Sequence, residues 1–213
     1  MFKTINKNVS AEIVEKKSKF IANVFYVETQ EEAEEKVKEL AKGTSAVIYN
    51  SAKELIENAD VDFVDICLPT YLHTEYAVMA MEKGFNVFVE KPLCMTEEEA
   101  DLLIKTQEKT GKITQVGQVI RFWDEYVWLK EAKESGRYGK VISATFKRLS
   151  PIPGWAWDNW LHTKEKSGGM ALDLHIHDID YARYLMGDPK EVCASGINDK
   201  NGITDYIMTT YKY

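Results

Sequence analysis

Six residues, Val87-Phe88-Val89-Glu90-Lys91-Pro92, constrain the fold of this chain more than any other stretch. Three strand-prone apolar residues run into a charged pair and then a proline. That pattern reads as a strand buried on both faces of a parallel sheet. Helical patterns lie on either side of it. Residues 74–83 (TEYAVMAMEK) precede it and stop at Gly84, and a second helix follows, with Ala100, Leu103 and Ile104 on one face, ending at Gly111. Strand–helix alternation of this kind builds an open α/β sheet, which binds ligands at the carboxyl ends of its strands. Pro92 ends the strand because it lacks a backbone donor, and it biases Lys91 away from helical geometry. Glu90 and Lys91 are therefore presented at a sheet rim. On these six residues alone, a strand-end ion pair facing solvent is the preferred reading.

The remaining pattern extends the alternation. Residues 10–27 read as two strands turning near 16–19, and Thr29 caps a helix carrying Ala33, Val37 and Leu40. After Gly43, residues 46–49 read as a short strand, Ser51 caps a helical turn with Leu55 and Ile56, and residues 61–68 form a strand ended by Pro69. Thr96 and Glu99 make a capping box. Residues 113–119 form another strand and 123–134 a helix closed by Gly136. Parallel strands are expected near 46–49, 62–68, 86–90 and 113–118. The rhythm then changes. Residues 141–149 (VISATFKRL) alternate as a strand, and Pro151, Pro153 and Gly154 open a loop with Trp155, Trp157 and Trp160, flat faces suited to sugar rings or to core packing. Gly168-Gly169 precedes a helix over 170–186, and strands at 191–196 and 205–213 follow. Along the last of these, Tyr206, Ile207, Met208 and Tyr211 predict an exposed apolar edge and self-association.

The net charge of −7 is spread without a basic stripe, which argues against nucleic acid as the main partner. Cys67, Cys94 and Cys193 contain no C-x-x-C pair, so a reducing compartment is expected rather than a disulfide framework. No apolar leader and no apolar run of spanning length is visible, and a soluble, cytoplasmic protein is expected.

Residues 44–213 closely resemble the Gfo/Idh/MocA family of NAD(P)-dependent oxidoreductases, through "VDFVDICLPTYLHTEYAVMAMEKGFNVFVEKPL", "QVIRF", "SGRYGKV" and "GGMALDLHIHDIDYARYLMG". The resemblance implies an α/β protein: a partial Rossmann-like parallel sheet, then an incomplete α/β domain with a mostly antiparallel sheet. It also implies hydride transfer between NAD or NADP and a sugar, polyol or related hydroxy compound, in a homo-oligomer. Residues 1–41 resemble the N-terminus of the YigZ/IMPACT family through "EIVEKKSKFIA" and the acidic helix after it. The expected division is 1–43, 44–120 and 121–213.

Carried over from the family, Lys91 matches the lysine that contacts the substrate hydroxyl, with Glu90 and Pro92 completing its motif. Asp173 and His177 match the D-x-x-x-H pair, in which the histidine accepts the proton. Pro69, Thr70 and His73 match the turn along the cofactor, with Glu90 and Lys91 beside it. Gln118, Arg121 and Phe122 match the entry to the second domain, where a structural role suits Arg121 better. The physical reading is compatible with these roles. Asp173 and His177 share a helix face, which Asp180 continues. A hydroxyl losing hydride also loses a proton to a base titrating near neutrality, and an ammonium stabilises the oxyanion.

The chain also departs from the family pattern. No glycine precedes Gly43, so the family's glycine loop is missing, and residues 27–32 (VETQEE) place three carboxylates in the candidate β–α turn. The family's second sheet also continues beyond Tyr213. A chimeric or twice-truncated chain joined near 41–45 is expected, with cofactor binding weakened. Two other classes compete: a non-catalytic binding or interaction module, and a metal hydrolase using His175, His177 and Asp178 or Asp180. The last is disfavoured because residues i and i+2 diverge on a helix, so no metal is expected.

Overall fold

The computed structural model describes residues 7–15, 18–151, 154 and 156–213, with the backbone alone at 15, 18–20 and 157. The expected turn residues Lys16 and Lys17, and Pro153 and Trp155, lie outside the described residues, as does the side chain of Trp157. The chain forms two compact units, residues 1–51 and 52–213.

In the first unit, β1 (Val9–Glu15) and β2 (Ser18–Val24) pair antiparallel from Val9↔Val24 to Glu15↔Ser18. Helix α1 (Gln30–Ala41) follows, capped by Thr29. Thr29 Oγ1 accepts from the Glu32 N–H at 3.2 Å, and the Glu32 carboxylate accepts from the Glu28 N–H at 2.8 Å. This is the reciprocal capping arrangement displaced one residue outward. No residue of α1 is buried, and Val37 and Leu40 of its apolar stripe stay exposed.

The second unit opens with α2 (Ala52–Asn58), β3 (Phe63–Ile66), a 3-10 turn at Thr70–Leu72, α3 (His73–Lys83), β4 (Asn86–Glu90), α4 (Glu97–Thr110) and β5 (Thr114–Gly117). The three strands form a parallel sheet in the order β3-β4-β5. Its core joins Ile56, Val64, Ile66, Ala77, Ala80, Met81, Val87, Val89 and Leu103. Burying each large apolar side chain there stabilises the fold by about 1.5–3 kcal/mol. In β4, Val87 and Val89 are buried, whereas Phe88, on the opposite face, is half-buried against Gly117. The expectation of burial on both faces is thus met in full on one face. Thr96 caps α4 as expected, and Glu99 reaches back to the Met95 N–H at 2.6 Å.

Helix α5 (Asp124–Glu134) leads to an extended segment, and then to α6 (Lys164–Ser167), α7 (Gly169–Asp173), α8 (His175–Met186), β6 (Glu191–Asn198) and β7 (Thr204–Lys212). Strands β6 and β7 pair antiparallel. A second core gathers Ile120, Tyr181 and Leu185, with Tyr126, Leu129, Phe146 and Met186 packed on it. Tyr181 is fully buried, and its hydroxyl donates to the Tyr126 carbonyl at 2.6 Å, so its polar end is satisfied. No helix among the described residues is long and apolar enough to cross a membrane.

Three expected elements differ. Residues 46–49 form no strand; Val47 and Ile48 are exposed, and β3 has β4 as its one ladder neighbour among the described residues. Residues 141–149 also form no strand. Alternation holds only over 146–149, where Phe146 and Arg148 are half-buried between the exposed Lys147 and Leu149; Ile142, of the same parity as Phe146, is 98% exposed, and the segment enters no ladder among the described residues. The expected helix over 170–186 is broken at Leu174 (φ −104°, ψ −50°), which separates α7 from α8.

Candidate active site

Parallel pairing sets the position of Lys91. Pairing of β4 with β3 on one side and β5 on the other carries the strand to its rim, where Glu90 pairs with Gly117. The Lys91 N–H donates to the Glu90 carboxylate at 3.0 Å, and the Lys91–Pro92 peptide is cis. From the rim the Lys91 ammonium donates to Asp173 Oδ1 at 2.7 Å and to the Asp173 carbonyl at 2.6 Å. Both side chains are largely covered, 19% and 26% exposed. The sequence separation is 82 residues, so the fold itself brings them together.

Asp173 and His177 arrive on a helix pair that a double glycine makes possible. Gly168 and Gly169 both adopt positive φ, at 70° and 65°. A Cβ at Gly168 would lie 2.3 Å from Leu172 Cδ1, so the close turn requires glycine. His177 is buried, and its Nδ1 has no hydrogen-bond partner among the described residues. Burial pushes its pKa below the ordinary 6.5, and the Lys91 and Arg148 cations push the same way against Asp173 and Asp178. The imidazole is therefore biased toward its neutral, proton-accepting form.

Around this cluster run two forked ion pairs. Arg148 donates to both oxygens of Asp178, at 3.1 and 3.0 Å, and to the Tyr126 hydroxyl at 3.2 Å. Arg121 forks onto Asp180, with Nε at 2.7 Å, and stacks over the Tyr184 ring. The structural role expected for Arg121 agrees with this. Asp180 is taken up by the Arg121 pair, and the single helix face expected for Asp173 and His177 is divided by the break at Leu174, which puts Asp173 at the end of α7 and His177 in α8. Arg148 is a residue that sequence reasoning missed; the inward alternation of Phe146 and Arg148 in residues 141–149 is the signal that pointed to it.

The cofactor-side expectations divide. Pro69 opens the 3-10 turn and is half-buried. Thr70 and His73 are 2% and 1% exposed, so their side chains face the interior rather than an open cofactor surface. Both His73 ring nitrogens lie 2.7 Å from main-chain carbonyls, of Pro92 and of Leu68. His175 turns to Thr209 at 3.0 Å, away from the metal-ligand role considered for it. No cluster of three metal-ligating side chains occurs among the described residues. Burial and Asp65 raise the Cys67 thiol to about 11, which removes it as a nucleophile at neutral pH. Trp160 is half-buried. A cleft of about 810 Å³ lies beside the Lys91 cluster rather than over it. Its walls include Leu93, Val116, Phe122, Leu172, Ile176 and the Asp180 side of α8.

A parallel sheet with helices between its strands defines an α/β protein of the Rossmann type, and its rim lysine is held on a helix-borne aspartate near a buried histidine. The chain belongs to the Gfo/Idh/MocA family: the family model described as "Oxidoreductase family, NAD-binding Rossmann fold" matches residues 10–118, and that of the family's C-terminal domain matches residues 126–213. The first match reaches back through the hairpin and α1, beyond the residue-44 start of the resemblance in wording. Myo-inositol 2-dehydrogenase of Thermotoga maritima is 37% identical over 151 residues, covering 70% of this chain and 43% of that protein. A 2,7-anhydro-N-acetylneuraminate hydratase of Mediterraneibacter gnavus is 35% identical over 149 residues, covering 68% of this chain and 38% of that protein. A levoglucosan dehydrogenase solved with NADH and levoglucosan superposes with a TM-score of 0.67 at 25% identity, covering 87% of this chain and 52% of that one. The chain thus spans less than half the length of the curated relatives it matches.

Taken one unit at a time, the residues present differ in how they suit an NAD-type dinucleotide. The rim of β4, with Glu90 and Lys91, suits its redox end. The strand-to-helix turn between β2 and α1 does not suit a pyrophosphate. It has no glycine, Glu31 and Glu32 sit in the first helical turn, and the Glu32 N–H is already taken by Thr29.

Proposed function

We propose that this chain carries the hydroxyl-binding and proton-accepting half of a Gfo/Idh/MocA hydride-transfer site, with a weakened hold on NAD or NADP. Its substrate class is a sugar, polyol or related hydroxy compound. The observation that supports this best is the Lys91 ammonium held on Asp173 at 2.7 Å, with His177 buried and its Nδ1 unpartnered. A buried imidazole nitrogen without a partner calls for an explanation, and a site completed by its substrate supplies one.

In this reading the substrate hydroxyl docks against Lys91, whose ammonium stabilises the negative charge developing on oxygen. The hydroxyl proton passes to the neutral His177 ring. Asp173 holds Lys91 in place and its charge stabilises the imidazolium that forms. A bound nicotinamide supplies the hydride acceptor. The same reading divides the chain at residues 43 and 120.

Calorimetric titration with NADH and NADPH tests the proposal. A charge-assisted hydrogen bond is worth about 1.5–3 kcal/mol, so losing two at the pyrophosphate weakens binding by about 3–6 kcal/mol, roughly a hundredfold to ten-thousandfold. No saturation at ordinary cofactor concentrations, with negligible turnover, is expected. A micromolar dissociation constant for either nucleotide would show that the hold is intact. A second reading, a non-catalytic binding module of the same family, is favoured by the glycine-free turn. Polyol binding that is independent of nucleotide, and unchanged in Lys91→Met, would select it over the catalytic reading.

A further inference from the structure

Asp178 follows His177 directly in α8, and its negative charge favours a proton on the ring. One side chain takes up both oxygens of that carboxylate. Arg148 donates from Nε to Asp178 Oδ2 at 3.1 Å and from Nη2 to Oδ1 at 3.0 Å, a planar fork on a planar acceptor. The same Nη2 donates to the Tyr126 hydroxyl of α5 at 3.2 Å. Both members of the pair are largely covered, 22% and 13% exposed. The bed beneath the fork aims it. Phe146, two residues before Arg148, lies edge-on to the Tyr181 ring at 5.9 Å, and Tyr126 lies edge-on to the same ring at 4.6 Å. Asp178 and Tyr181 are three apart and share a helix face. Residues 146 and 148 are two apart in an extended segment and share a side of it. The extended segment therefore meets α8 at two points, ring on ring and fork on carboxylate.

We propose that Arg148 is a positioning residue for His177: its fork, aimed by Phe146 and braced by Tyr126, fixes the first turn of α8 and neutralises the carboxylate next to the ring. Left unpaired, Asp178 would stabilise an imidazolium, and the ring would keep its proton. With Asp178 paired, the ring can take a proton and give it up again. The charged groups that act on His177 are Lys91 at the rim of β4, Asp173 of α7, Arg148 and Asp178. Each carboxylate is held by one of the cations, so the ring sits among two closed pairs. Elsewhere on α8, Arg121 is paired with Asp180 and His175 meets Thr209. Tyr211 of β7 lies within electrostatic reach of Asp178, but burial raises its pKa and the phenol stays neutral. The proposal rests on the hydride-transfer reading only for the use made of the proton; the pairing itself is independent of it.

Two opposite charge deletions test the pairing without turnover. NMR titration of the His177 ring is expected to give a raised pKa in Arg148→Gln, where Asp178 loses its partner. In Asp178→Asn, where Arg148 loses its partner, the same titration is expected to give a lowered pKa. General loosening of α8 would instead let water reach the ring and raise the pKa in both variants, because burial is the largest cause of its depression. Any pattern other than one rise and one fall overturns the proposal. If either variant does not fold, the unmutated chain decides. There the Arg148 Nε–H resonance is expected to shift with the same midpoint as the His177 ring, and an Arg148 signal indifferent to that titration overturns the proposal. Failure to bind nucleotide leaves all of these readouts untouched, so the fate of the hydride-transfer reading is scored separately.

Discussion

Lys91→Met is the most informative single change, because it removes one charge from a three-member cluster while keeping the side chain's length. Asp173 loses the ammonium at 2.7 Å, and its carbonyl loses the same donor at 2.6 Å. Both side chains are about four-fifths to three-quarters covered, so screening by water is only partial. A charge-assisted hydrogen bond in such a place contributes about 1.5–3 kcal/mol. For a unit of the size of residues 52–213, each kcal/mol moves the melting temperature by about 2–4 °C, so a fall of about 3–12 °C is expected. The second consequence is electrostatic. Lys91 is one of the cations that depress the His177 pKa, so its removal should raise that pKa toward 6.5. Calorimetry reads the melt, and NMR titration of the His177 ring reads the pKa. An unchanged melt together with an unmoved His177 titration would refute the claim that these three residues form one cluster.

Three further outcomes are expected. His177 and His175 both have pKa values lowered by burial. Above about 6.5 both folded and unfolded states hold neutral rings, and as pH falls the unfolded chain takes up protons first, so stability should drop on acidification below that value. His177→Gln should flatten part of that slope in denaturant titrations at stepped pH, and an unchanged slope would rule the ring out as its source. Gly168→Ala forces a Cβ onto Leu172 at positive φ, so a loss of about 2–5 kcal/mol is expected from left-handed strain plus overpacking, read by urea unfolding. The outward face of β6–β7, with Ile197, Tyr206 and Met208 exposed, should drive self-association. Sedimentation velocity should show Met208→Lys shifting the protein toward monomer, and a monomeric parent would exclude this face.

What the sequence made legible was what neighbouring residues decide for themselves. Thr29, and Thr96 with Glu99, announce helix starts because capping is settled within four residues, and both caps are formed. The Lys91–Asp173 contact, across 82 residues, was reachable only through resemblance, since nothing in local pattern says which strand end faces which helix. Two of the misses share one physical origin. Residues 46–49 and 141–149 have strand-like wording, but a period-2 pattern describes which side chains share a face. A strand also needs a neighbour to take its N–H and C=O groups, and pattern alone cannot supply one. Phe146 and Arg148 inward, with Lys147 and Leu149 outward, show the face surviving over four residues where the ladder does not form. The same gap hid Arg148, whose partners Tyr126 and Asp178 lie 22 and 30 residues away. His73 is the sharpest case. Resemblance places it in the turn along the cofactor, whereas its ring meets two carbonyl oxygens just beyond the ends of two strands. Backbone acceptors carry no side-chain signature, so a residue whose work is to bind them is invisible until the fold is known.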